Sequence, residues 1–124
     1  MGRYYWGDIE GKFWFGVQPT ADLLEFGHAE RDSTRLNVVV PYKRLTAIAK
    51  QVKTWKADFR KHGISFTDFM ARLALSEAGV RRPTDTDKAN WKTMCREASL
   101  ISLGEQIVKR LKSKKEHLSI EGEY

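Results

Sequence analysis

The side chains able to perform acid-base or metal chemistry are few and widely spaced. Asp8 and Glu10 lie two residues apart, which is compatible with a cation site but is more common in solvated turns. His28, His62 and His117 show no HxxxH or Cys/His spacing of the kind that binds zinc. His62 stands directly before a glycine, which suits the end of a helix, where a cation interacts favourably with the helix dipole. We expect no metal site.

The sequence also shows no sign of a catalytic nucleophile or of a phosphate-binding loop. Cys95 falls on the apolar side of a predicted helix with Trp91 and Ala98, as a buried structural thiol would. A nucleophilic cysteine needs a neighbouring base and an electropositive, accessible setting. The chain contains no GxxxxGK[ST], GxGxxG or GxSxG motif. We therefore predict a protein that is not an enzyme and needs no cofactor.

Charge is the chemical feature that the sequence concentrates in one place. Residues 41–62 contain seven basic residues and one acidic residue, a net +6 that equals the formal net charge of the whole chain. A phosphate backbone is attracted to such a segment through counterion release. Arg81, Arg82 and the cluster at 109–115 extend the basic set. The candidate residues for binding nucleic acid or an acidic partner are Lys43, Lys50, Lys53, Lys56, Arg60, Lys61, Arg81 and Arg82.

Two aromatic residues are candidates for a base-stacking platform beside this charge. Tyr5 and Trp14, if exposed, have the ring chemistry that stacks on nucleic-acid bases. Two alternatives remain open. Lysines opposite an apolar stripe often form only a solvated face, and a tryptophan is often part of the core.

The elements that must position these residues begin with an aromatic β-hairpin over residues 4–17. Glu10 and Gly11 fit a two-residue turn, with the glycine supplying the positive φ that such a turn needs. This register places Tyr5 and Trp14 on one face. It places the other large side chains opposite them: Tyr4, Trp6, Phe13, Phe15 and Val17.

A short helix is predicted over 19–27 with Thr20 as its N-cap, and a polar loop over 28–34. The β-branched run 35–40 predicts a third strand. An amphipathic helix is then predicted from Pro41 to about His62, with its stripe packed on the sheet and its lysines in solvent. The apolar stripe consists of Leu45, Ile48, Val52, Trp55 and Phe59.

The C-terminal half predicts further helices. One begins at a capping box of Ser65 and Asp68, and another follows residue 84. The latter is expected to kink or break near 99–104, because Ser102 and Glu105 again have capping-box spacing. The predicted fold is α+β: the hairpin and third strand form a small antiparallel sheet, covered by the long basic helix and C-terminal helices. We expect one domain over 1–112 and a charged, frayed tail over 113–124.

The composition indicates in which cellular compartment the protein is expected. The chain has one cysteine, no apolar leader and no apolar run long enough to span a bilayer. We expect a protein without membrane contact, in the cytoplasm or nucleus.

Residues 2–18, GRYYWGDIEGKFWFGVQ, carry a resemblance to known proteins. They resemble the opening of a group of small uncharacterised proteins of large DNA viruses that infect algae and protists. The resemblance is looser through Val38–Tyr42 and the helix that follows, and it ends by about residue 70. It implies a viral origin and a host-cell site of action, and it carries no mechanism.

These observations together predict a non-enzymatic accessory protein that binds polyanions, most of all nucleic acid, through the basic face of helix 41–62. The alternative is a protein-protein interaction module, an adaptor or inhibitor, that uses the same basic face and the aromatic hairpin on an acidic partner.

Overall fold

The computed structural model describes residues 3–14, 18–30, 35–77 and 85–123. Within these ranges the chain has the predicted α+β fold. The strands are β1 (Tyr4–Gly7), β2 (Gly11–Lys12), β3 (His28–Glu30), β4 (Arg35–Val40) and β5 (Leu118–Glu123). The helices are α1 (Leu45–Phe59), α2 (Phe66–Glu77) and α3 (Asp85–Lys114).

In the described part of the chain, five strands form one antiparallel sheet with the order β2-β1-β5-β4-β3. The third strand is confirmed as β4. The predicted loop over 28–34 is wrong at its start, where β3 forms the edge of the sheet beside β4. Residues 31–34 of that loop lie outside the described ranges.

The expectation of a frayed tail is also wrong, because the tail contains the central strand β5. This strand pairs with β1 on one side and with β4 on the other. Leu118 and Ile120 alternate with polar neighbours and are fully buried, which is the period of a strand with one covered face. The lysines and glutamates around them are typical of a solvated tail, but burial of the two apolar side chains in the core holds the segment in the sheet.

The sheet has one buried face and one open face. Along β4 and β5 the buried side chains are Leu36, Val38, Val40, Leu118 and Ile120. The alternate positions define the open sheet face, where side chains are exposed or half-buried: Arg35, Asn37, Val39, Ser119, Glu121 and Glu123.

The hairpin forms in a register that differs from the predicted one. Tyr4 pairs with Lys12 and Tyr5 with Gly11, so the turn is longer than two residues. The Tyr5 ring lies across Gly11, where a Cβ would come within 2.4 Å of the phenol oxygen. On its other edge β1 pairs with β5, from Tyr5 opposite Gly122 to Gly7 opposite Ile120. β1 therefore lies between its hairpin partner β2 on one edge and the central strand β5 on the other.

The residues predicted as a short helix form a 3-10 helix over Thr20–Glu25. Thr20 does not cap it. The Thr20 hydroxyl instead donates a hydrogen bond to the Glu123 carbonyl and accepts one from the Arg3 guanidinium, 2.7 Å away. Thr20 therefore ties this helix to the end of β5.

The amphipathic helix predicted over 41–62 is confirmed. It comprises a 3-10 turn over Tyr42–Arg44, α1, and a second 3-10 turn over Arg60–His62. Gly63 ends it in a left-handed conformation with φ of 79°. Pro41 is not helical but extended, one residue before the first turn. All five stripe residues are buried or half-buried in the core.

The partner of the stripe differs from the expected one, since α1 packs mainly against α3 rather than on the sheet. The two helices run antiparallel. A Cβ added at Gly104 of α3 would lie 2.6 Å from Val52 of α1. Lys61, farther along the chain from Val52, reaches Glu97, which precedes Gly104.

The predicted break near 99–104 is wrong, because α3 is a continuous helix of 30 residues. Glu105 does not serve in a capping box: its carboxylate forms an ion pair with Lys56 of α1. At the start of α2, by contrast, the Asp68 amide donates to the Ser65 hydroxyl at 3.2 Å, as the capping spacing predicts.

Candidate polyanion-binding groove

A surface groove of about 430 Å³ lies between α1 and α3. Four lysines form its walls, and an apolar floor and one glutamate complete it. Its lining, which defines the α1–α3 groove, is Ala49, Val52, Lys53, Lys56, Glu105, Val108, Lys109 and Lys112.

The same local spacing on both helices builds this groove. The α1 residues are at positions 49, 52, 53 and 56, and the α3 residues are at 105, 108, 109 and 112. Each set follows the pattern i, i+3, i+4, i+7, which places its members on one face of a helix. The α1 set contains Lys53 and Lys56, and the α3 set contains Lys109 and Lys112, so each helix contributes two lysines to the groove.

The groove carries a strong positive charge. Four lysines and one glutamate give a formal charge of +3. Lys56 and Glu105 form an ion pair at 3.1 Å, and both side chains are about two-fifths exposed. Within the described residues, Lys53, Lys109 and Lys112 are exposed and form no ion pair. Three ammonium groups without an ion pair among the described residues therefore surround the Lys56–Glu105 pair.

The structure separates the eight predicted basic residues into groups. Lys53 and Lys56 line the groove. Those exposed on the basic helix outside the groove lining are Lys43, Lys50 and Arg60. Lys61 forms an ion pair with Glu97 of α3. Arg81 and Arg82 lie outside the described residues.

An acidic residue of α3 neutralises the C-terminal end of the basic helix. Glu97 forms an ion pair with Lys61 at 2.8 Å and lies 2.5 Å from the His62 ring nitrogen. Burial acts to raise the pKa of Glu97, but hydrogen bonds from Lys61 and His62, together with their charge, hold that pKa below its ordinary value. The position predicted for His62 at the helix end is confirmed, but the contact it makes is with a carboxylate.

Lys109 and Lys112 belong to the groove although neither was in the candidate set of eight. Their sequence signal is visible as part of the basic cluster at 109–115. The sequence does not show that these two lysines, and not their neighbours, face α1. That depends on the antiparallel packing around Gly104.

The predicted aromatic platform is wrong for Tyr5. Its side chain is only 5% exposed, and its hydroxyl donates to Gln106 at 3.1 Å. Burial raises the pKa of the Tyr5 phenol, and the Gln106 hydrogen bond partly offsets this rise. Trp14 is half-buried and packs against the core. The altered hairpin register explains the difference, since it turns Tyr5 to the covered face together with Phe13, whose ring lies 5.0 Å away.

The aromatic rings on the open sheet face are Tyr4, 52% exposed, and Trp6, half-buried. Each has a cation over it: Lys12 lies 6.0 Å from the Tyr4 ring, and Arg35 lies 5.5 Å from the Trp6 ring. Arg35 also pairs with Glu121 at 3.2 Å. The open sheet face is therefore mixed in charge, unlike the groove.

Of the two acids weighed as a cation site, Asp8 has other partners and Glu10 lies in solvent. Both Asp8 oxygens accept from Lys114 at 3.0 Å, and one accepts from the Ser119 amide at 2.7 Å. Glu10 is exposed. Within the described ranges, no group of three or more His, Cys, Asp or Glu side chains is arranged to hold a metal ion. Cys95 is buried, as expected.

Among the helices described, none has the length and apolar character needed to cross a lipid bilayer. Comparison with protein family models, curated proteins and solved structures finds no match to this chain. The molecule is thus defined by its own features: an α+β fold with one covered sheet face and a basic groove on its helical side.

Proposed function

We propose that this protein is a non-enzymatic accessory protein that binds polyanions, nucleic acid first, through the α1–α3 groove and the exposed lysines of α1. The observation that carries the proposal is the convergence of Lys53, Lys109 and Lys112, all free of ion pairs within the described residues, on one groove. Lysine ammonium groups that displace the counterions condensed around phosphates gain binding free energy without sequence preference.

The structure changes which residues should carry this binding. Lys61 interacts with Glu97 and Lys56 with Glu105, so both already have part of their charge compensated. We expect Lys109 and Lys112 to contribute more to polyanion binding than these two paired lysines. The centre of the proposed binding surface therefore lies over the middle of α1 and the last third of α3.

A second candidate function is supported by the apolar floor of the groove. Ala49, Val52 and Val108 lie between the two rows of lysines, and a phosphate backbone has no need of such a floor. An acidic amphipathic helix has apolar residues along one seam and carboxylates on both sides, so it matches the floor and both walls. In this alternative the protein is an adaptor or inhibitor of an acidic partner.

The cellular setting remains part of the proposal. A single cysteine fits the reducing cytoplasm or nucleus. The resemblance of residues 2–18 to proteins of large DNA viruses leads us to propose a viral origin and action inside the host cell.

The experiment is a charge reversal with a matched control. The groove variant carries Lys53→Glu, Lys109→Glu and Lys112→Glu. The control carries Lys12→Glu, Arg72→Glu and Lys92→Glu, three exposed cations outside the groove that change the net charge by the same amount. Binding of labelled DNA and RNA is measured at low salt by fluorescence anisotropy, with far-UV circular dichroism to verify folding.

We expect the groove variant to lose at least about 100-fold in affinity and the control to lose much less, because counterion release depends on the charges that touch the phosphates. Equal losses in both variants would mean that only net charge matters and would contradict a groove site. Failure of the parent protein to bind DNA or RNA at low salt would reject nucleic-acid binding.

A further inference from the structure

The lysines of the α1–α3 groove stand on both of its walls. Lys53 and Lys56 come from α1, and Lys109 and Lys112 come from α3. A ligand that contacts all four at once must lie between the two helices, along the groove. A ligand that rests on only one helix face would meet half of these charges.

The width of the groove limits what can lie there. Axes of packed helices are about 8–10 Å apart, and the close approach of Val52 to Gly104 shows that α1 and α3 are packed in contact. A nucleic-acid duplex is broader than this space, and it would touch only the upper rims of the walls. A single phosphate-bearing chain is narrow enough to enter.

The length of the groove sets how much of such a chain it holds. The lining residues on each helix span seven positions, about 10 Å at the rise of an α-helix. Phosphates along one nucleic-acid strand repeat every ~3.4 Å of axis in a helical form and farther apart when extended, so about two or three phosphates lie within reach of the four ammonium groups.

We infer that the α1–α3 groove accepts a single phosphate-bearing chain, such as single-stranded nucleic acid, in preference to a duplex. The phosphates lie between the lysine rows, and the apolar floor at Val52 and Val108 meets the less polar sugar and base surfaces. This inference rests on the proposed function and specifies its substrate class. The shared chemistry is a chain of linked phosphates, which single-stranded DNA, single-stranded RNA and inorganic polyphosphate all possess.

The test compares four probes on the full chain at matched ionic strength. These are oligo(dT) of about 12 nucleotides, a length typical of single-strand sites, oligo(U) of the same length, a mixed-sequence duplex of the same length, and long-chain inorganic polyphosphate as a competitor. We expect oligo(dT) or oligo(U) to bind at least about tenfold more tightly than the duplex, and polyphosphate to displace them.

Salt dependence supplies a second readout. For a single strand, log K falls with log salt with a slope near −0.7 per neutralised phosphate, so the two or three phosphates within reach of the groove lysines predict a slope of about −1.4 to −2.1. A Lys109→Ala, Lys112→Ala variant should lose one or two neutralised phosphates and so reduce the magnitude of that slope by about 0.7 to 1.4, whereas Lys12→Ala, Lys92→Ala should leave it unchanged.

The outcomes separate the two proposals. Duplex binding equal to or tighter than single-strand binding overturns the single-chain inference and leaves polyanion binding in place. Binding of polyphosphate without oligonucleotide binding supports a phosphate chain in the groove and identifies its source. Binding of an acidic amphipathic helical peptide, with no binding of any phosphate probe, overturns both this inference and nucleic-acid binding.

Discussion

Single side chains connect distant parts of this small fold through polar contacts. Asp8 is the clearest case, since it follows β1 and binds both the Lys114 ammonium at the end of α3 and the Ser119 amide in β5. Burial acts to raise the pKa of Asp8, but the Ser119 and Lys114 contacts and the charge of Arg110 outweigh it and hold that pKa below its ordinary value.

The lowered pKa of Asp8 predicts an acid-dependent loss of stability. A carboxyl group with a depressed folded-state pKa stabilises the fold above its unfolded pKa, near 4, and that contribution disappears as pH falls through the folded value. Asp8→Asn should lower the free energy of unfolding at pH 7 by about 1 kcal/mol, since the site is partly open to solvent. Urea titrations of parent and variant should converge as the pH is lowered below about 4.

The control for this measurement is Glu116→Gln, which removes one exposed carboxylate. Its unfolding free energy should follow the parent at every pH. A difference between parent and Asp8→Asn that persists unchanged at acid pH would show that the ionised carboxylate is not the source of the stabilisation.

A second polar contact of this kind fastens the 3-10 helix to α3. Arg96 donates to both oxygens of Asp22, at 2.7 and 2.8 Å, and the Asp22 side chain is only 4% exposed. Burial raises the pKa of Asp22 even though the Arg96 charge and hydrogen bonds lower it. The Asp22 carboxylate is thus held in a place where its charge alone is unfavourable, whereas the Arg96 side chain is two-fifths exposed.

Removing Arg96 alone should therefore cost more than removing both partners. We expect Arg96→Met to lower the free energy of unfolding by about 2–3 kcal/mol, because Asp22 would be left buried and unpaired. The double variant Asp22→Asn, Arg96→Met should recover part of that loss. A double variant less stable than Arg96→Met, measured by urea unfolding, would contradict this account.

At the scale of elements, the contact between α1 and α3 forms the groove, and Gly104 is its closest point. A Cβ at position 104 would lie 2.6 Å from Val52 and 3.1 Å from Phe26. A glycine within a helix is ordinarily unfavourable relative to alanine by about 1 kcal/mol. Here the close helix approach outweighs that propensity.

Gly104→Ala should therefore destabilise the protein by about 1–3 kcal/mol, because overpacking at a fixed helix contact outweighs the gain in helix propensity. Combining it with Val52→Ala makes room for the new methyl group, and the double variant should be more stable than the sum of the two single changes predicts. Thermal unfolding followed by circular dichroism measures both effects. A stabilising Gly104→Ala would show that the helices can separate at no cost.

At the scale of the whole molecule, the last described strand, β5, joins the two parts of the sheet. β5 lies between β1 and β4, and its Leu118 and Ile120 are buried. Without β5, the hairpin and the β4-β3 pair would have no backbone hydrogen bonds to each other. The five-stranded sheet therefore depends on β5 to join the hairpin to the β4-β3 pair.

Truncation after Lys114 should abolish cooperative unfolding, because it removes the central strand and leaves two separate strand pairs. Ile120→Ala should lower the free energy of unfolding by about 2–5 kcal/mol, whereas Ser119→Ala on the open sheet face should change it by less than about 0.5 kcal/mol. Calorimetry of the three proteins provides the comparison. A truncated chain with a sharp thermal transition would contradict the central role of β5.

Local periodicity alone determined the α+β fold class, the strand at 35–40, the helix at 41–62 and its apolar stripe. Those features depend on neighbours within one or two turns or on alternation along one strand, so the sequence displays them directly. The concentration of positive charge in α1 is equally visible in the sequence.

Tertiary structure alone decided the register of the hairpin, the burial of Tyr5, the placement of β5 and the pairing of Lys56 and Lys61 with acids of α3. Each of these depends on segments far apart in the chain, such as Tyr5 opposite Gly122 or Lys61 beside Glu97. The groove belongs to the same group, because its two rows of lysines face each other only where Gly104 lets α3 approach α1. Such contacts follow from how the elements pack together, and the pattern within any one element does not contain that information.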